Sequence, residues 1–96
     1  MSERVTMSLV ISTADHKVMM VSGASGDLLE SHKVDVEALL LVKNGNITYE
    51  QEGERIVLVS GQGYSIPSDV YHAVHCNEAS EIFIIIPKRA KMKFQR

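Results

Sequence analysis

The 96-residue chain has no tryptophan, one cysteine and two prolines, and its aromatic residues are two phenylalanines and three tyrosines. The lone thiol, Cys76, excludes an intramolecular disulfide and a cysteine-only structural zinc site. No apolar run approaches the ~18 residues of a membrane span, and the N-terminus lacks the basic-then-apolar layout of a secretion signal. The expectation is a cytoplasmic protein with no membrane partner. A phosphate-cradling loop is missing too, because Gly61-Gln-Gly63 precedes a strand-like run rather than a helical one.

What is present is an apolar fraction of 45% with 23% charged residues, ordinary for a soluble globular domain. The length suits one domain with one core. The formal charge of −2 conceals an asymmetry. Residues 1–87 hold five Lys or Arg against twelve Asp or Glu, whereas residues 88–96 hold five basic residues and no acid. The domain is therefore set at 1–87, followed by a basic C-terminal tail at 88–96 that is expected to be solvated. An acidic body gives a phosphate backbone little to dock on, so nucleic acid is not an expected partner.

Short β-rich runs recur along the chain, closed by turn residues. They cover Val5–Ile11, Lys17–Ser22, Leu28–Val34, Ala38–Val42, Asn46–Glu50, Arg55–Val59, Gly63–Ile66, Tyr71–Cys76 and Glu81–Pro87. Asn44-Gly45 is the strongest hairpin signal, since both central residues of a type I′ turn need φ > 0. Nine short strands with Gly and Pro punctuation predict an all-β sandwich or barrel. Ala38–Val42 and Ile82–Ile86 are apolar at every position, so each must be covered on both faces. One face fills the barrel. The other calls for a second copy, hence a homodimer, or for the chain's own termini.

Two segments carry the chemistry. From Gly26 the chain reads GDLLESHKVDVEALLLVKNG to Gly45, and from Gly61 it reads GQGYSIPSDVYHAVHCN to Asn77. Their spacing resembles the two motifs of the cupin superfamily, G-x5-H-x-H-x3,4-E-x6-G and G-x5-P-x-G-x2-H-x3-N. Gly26, His32 and Gly45 fall in register with the first motif, and Gly61, Pro67 and His72 with the second. The resemblance implies a jelly-roll β-barrel, or double-stranded β-helix, of two antiparallel sheets. It also implies a metal site of three histidines and a glutamate. Here the second histidine is replaced by Val34 and the glutamate by Ala38, while Asp69 and Cys76 stand at the motif glycine and asparagine.

Two of the four implied metal ligands thus remain, His32 and His72, fewer than the three protein ligands that zinc or iron sites use. No cofactor is expected on the purified protein. A divalent Fe, Mn, Ni or Zn ion would need a third ligand rebuilt from Glu30, Glu37 or Cys76. Strand alternation from His32 puts Glu30, Leu28 and Val34 on its face and sends Glu37 outward. From His72 it brings Val74 and Cys76 inward. The expected ligand pocket is therefore His32, Val34, Ala38, His72 and Cys76. Met19 and Met20 are expected as core filler, and His16 as an exposed turn residue. The expected function is a non-catalytic or regulatory barrel binding a small molecule. A metal-dependent oxygenase or isomerase and a bare interaction protein are the alternatives.

Overall fold

The computed structural model describes residues 5–95. Residues 1–4 of the expected domain and Arg96 of the expected tail lie outside the described residues. Ten strands follow in order: β1 (Thr6–Ser12), β2 (His16–Gly23), β3 (Leu28–Val34), β4 (Ala38–Asn44), β5 (Asn46–Gln51), β6 (Glu54–Val59), β7 (Gly63–Ile66), β8 (His72–Cys76), β9 (Ser80–Pro87) and β10 (Met92–Phe94). They form two five-stranded sheets, β1-β2-β9-β4-β7 and β10-β3-β8-β5-β6. Every neighbouring pair is antiparallel. The all-β jelly-roll expectation holds.

The alternation of β4 shows how the layers form. Ala38, Leu40 and Val42 are buried between the sheets, while Leu39 and Leu41 face out. Ile47, Tyr49, Val74 and Ile82 complete the fully buried centre. Burying such side chains contributes roughly 1.5–3 kcal/mol each, which is what holds two sheets together.

One turn differs from its expectation. Asn44-Gly45 is not a hairpin, because β4 and β5 belong to different sheets. Gly45, at φ 107°, instead carries the chain across against β9. A Cβ there would lie 2.7 Å from the Cα of Ser80. Side-chain bonds fix the crossing: Asn44 Nδ2 donates to Glu81 at 2.9 Å and the Asn46 amide donates to Ser80 Oγ at 3.0 Å. The two-residue hairpin is Glu52-Gly53, with φ of 49° and 81°, joining β5 to β6.

Residues 88–95, set apart in the sequence as a solvated tail, are part of the barrel. β10 adds to the sheet edge beside β3, with Phe94 opposite His32 and Met92 opposite Val34. The Gln95 amide donates to Ser31 O at 2.9 Å, and the Lys91 amide to Asp35 Oδ1 at 2.8 Å. Because β10 extends the β3 sheet, it does not cover the outer face of the other one. There Leu39, Ile85, Val18 and Ile11 stand in one cross-strand row and Leu41, Phe83 and Met20 in the next. Leu39 is 49% exposed and Ile11 55%.

Candidate functional site

His32 and His72 are direct cross-strand partners on β3 and β8. Their ring centroids lie 4.3 Å apart with planes inclined by 61°. Both residues are buried. Each ring is fixed by the backbone carbonyl two residues before it: His32 Nδ1 lies 2.7 Å from Glu30 O and His72 Nδ1 3.1 Å from Val70 O. A backbone carbonyl only accepts, so Nδ1 carries the proton and Nε2 of the neutral ring keeps its lone pair. Burial lowers the pKa of both. For His72 burial is the larger cause and the nearby His32 adds to it, bringing the value down to about 4. At neutral pH the pair is uncharged and offers two acceptors.

The pair forms part of the wall of a cavity of about 130 Å³ between the sheets. Val34 and Ala38 share that wall, as do Leu40, Val74, Ile84 and Ile86. Sequence alternation finds several of these residues. Others came without such a signal: Leu29, Lys17 at the start of β2, and Ala90 and Met92 from the segment after Pro87. Met19 also faces the cavity, whereas Met20 lies on the outer face.

Cys76, expected in the pocket, lies outside this wall. It is buried opposite Ile47, where a Cβ on Gly23 would come 2.7 Å from its Sγ. Burial, and after it the charge of Asp27, push its thiol pKa up, which opposes a nucleophilic role.

Glu30 is off the wall as well, for a structural reason. The register of β3 against β8 shifts between Leu29 and His32, so Leu29 takes the inward place. Glu37 is exposed, and its Oε2 accepts the Ser65 hydroxyl at 3.1 Å. Among the described residues no three His, Cys, Asp or Glu side chains come together. Two imidazoles beside a valine and an alanine do not fit the three-histidine, one-glutamate metal that the motif spacing implies.

No family model and no curated protein matches the sequence. Solved structures do match the fold. A protein with a double-stranded β-helix domain from Klebsiella pneumoniae superposes with a TM-score of 0.85 at 19% identity, covering 97% of this chain and 85% of its own. A cupin superfamily protein from Desulfitobacterium hafniense gives 0.81 at 16%, covering 91% and 80%. The fold is that of a small cupin. A third match, the DMSP lyase DddQ from Ruegeria pomeroyi, gives 0.86 at 15%, covering 96% of this chain and 52% of the lyase. The same cupin architecture thus carries an enzyme in one relative and is described by its fold alone in the others. Among the described residues no helix is long and apolar enough to cross a membrane.

Proposed function

We propose that this cupin barrel is a small-molecule-binding module, non-catalytic or regulatory, whose ligand sits in the cavity between the sheets. The observation that carries this is the wall itself, apolar nearly throughout with two neutral imidazoles side by side. Binding sites have this composition, an apolar lining with a few convergent polar groups. The volume of about 130 Å³ approaches the roughly 150 Å³ of an apolar cavity that admits benzene.

A second reading has one observation in its favour. Pinning Nδ1 of each histidine to a carbonyl is how metal-ligating imidazoles are oriented. A metal-dependent enzyme built on His32 and His72 would still need a third ligand, and neither Glu30, Glu37 nor Cys76 stands on the cavity wall.

The uncovered apolar face of the β1-β2-β9-β4-β7 sheet supports a homodimer, with the Ile82–Ile86 strand near the centre of the contact. A single buried thiol and no disulfide suit a reducing compartment, which favours the cytoplasm.

Methionine-methyl NMR tests the binding role with benzene as probe. Met19, on the wall, is expected to shift saturably, and Met20, on the outer face, to stay in place. An unmoved Met19 at saturating benzene would refute a ligand cavity.

A further inference from the structure

Among the described residues the cavity has three polar side chains, and they come from opposite sheets. His32 and His72 project from β3 and β8, and Lys17 from β2 of the facing sheet. Lys17 is half-buried, and no ion pair among the described residues involves it. Among the described residues no Asp or Glu stands on the wall. Lys17 is the one fixed positive charge among the described residues of the wall, and an anion that enters the cavity supplies its opposite charge.

The imidazoles ask for something else. With both Nδ1 protons given to Glu30 O and Val70 O, each neutral ring presents only an acceptor. A carboxylate there would set lone pair against lone pair. A hydroxyl donates into that site. The anionic end and the donor end of a ligand are thereby sorted to opposite walls, in a space set by sheets packed about 10 Å apart. Between them the lining is aliphatic.

Resting on the cavity being a binding site, we propose that its ligand is a small hydroxy acid. One carboxylate pairs with Lys17 at the half-buried edge of the cavity, one hydroxyl donates to the His32–His72 pair, and an apolar body no larger than a benzene ring lies between, so that the carboxylate adds nothing to the enclosed volume of about 130 Å³.

The test follows the Met19 methyl resonance through titrations with benzene, phenol, benzoate and the three isomers of hydroxybenzoate. At least one hydroxybenzoate is expected to bind about tenfold more tightly than either phenol or benzoate, and both of these more tightly than benzene. Lys17→Met keeps the length of the stem and removes the charge. It is expected to weaken benzoate and hydroxybenzoate about tenfold while leaving phenol and benzene within twofold. The six titrations on the unsubstituted protein keep the test independent of how any variant folds. Acids binding no better than benzene, or a Lys17→Met protein that holds them as well as the parent, would overturn the hydroxy-acid assignment and leave the cavity standing. Silence from every probe, benzene included, would remove the binding role and this assignment together.

Discussion

The Tyr49 ring stacks on His72, with centroids 5.7 Å apart and planes inclined by only 20°. Tyr49 is itself buried and donates its hydroxyl to Gln51 Oε1 at 2.7 Å. His72 is thus held between a fixed aromatic face and the edge of His32, a setting in which an imidazolium has little solvent and, among the described residues, no counter-ion.

A dependence of stability on pH follows. Both histidines have folded-state pKa values below the ordinary value near 6.5, His72 at about 4. The folded protein binds fewer protons than the unfolded chain in this range. The stabilisation is therefore fully present above about pH 6.5 and is lost as pH falls toward 4. Urea midpoints measured at pH 7.5, 6, 5 and 4.5 are expected to decline in that order. In His72→Phe the decline should shrink; an equal slope in parent and variant would assign the loss to other groups.

Gly45 is where the chain passes between sheets at φ 107°, with Ser80 Cα 2.7 Å from where a Cβ would stand. Gly45→Ala is expected to cost about 1–3 kcal/mol, from the left-handed backbone and the close approach together. Gly53→Ala, at φ 81° with open space around it, isolates the backbone part and should cost less. Chemical denaturation of the two variants checks the order. Equal losses would mean that the contact with Ser80 relaxes freely.

Much of this architecture can be read from the residues, and the exceptions have causes. Nine of the ten strands announce themselves by β-rich runs between turn residues, and the spacing from Gly26 to His32 and from Gly61 to His72 places two histidines that become cross-strand neighbours. The register of a bulge is not written in alternation. From His32, period two points to Glu30, and only the shift in pairing puts Leu29 inside. β10 was obscured by charge. Lys91 to Gln95 alternate polar and apolar, which is a strand pattern, but four basic residues within 88–93 suggest a solvated end. Lys17 carries no such sign, since a lysine opening a strand is ordinary until it is seen to line the same cavity as the two histidines.

The apolar outer face predicts self-association. Burial of at least ~1,200 Å² in total is the size of a stable contact. Light scattering at micromolar concentration should report about twice the 10.6 kDa chain mass. Leu41→Glu places a charge in the row beside Phe83 and Met20, and a monomer is expected from it. A parent protein that is monomeric at these concentrations contradicts the assignment of this face.

Val34 and Ala38 stand on the cavity wall beside the histidines. Restoring an imidazole and a carboxylate there, as Val34→His with Ala38→Glu, raises the donor count from two to four. The doubly substituted protein is expected to retain close to one zinc or manganese ion per chain through dialysis, measured by elemental analysis. Retention no greater than in the parent would show that the surrounding wall, and not the donor count, sets metal affinity.

The most direct measurement is the metal content of the untagged parent protein after dialysis against metal-free buffer. Iron, manganese, nickel, copper and zinc are counted per chain, because two imidazoles without a carboxylate do not offset the cost of organising a site. The expected ratio is far below one for every element, as for a barrel whose histidines hold an organic ligand. A ratio near one, lost in His32→Ala and lost again in His72→Ala, would contradict this and make the barrel a metal-dependent protein.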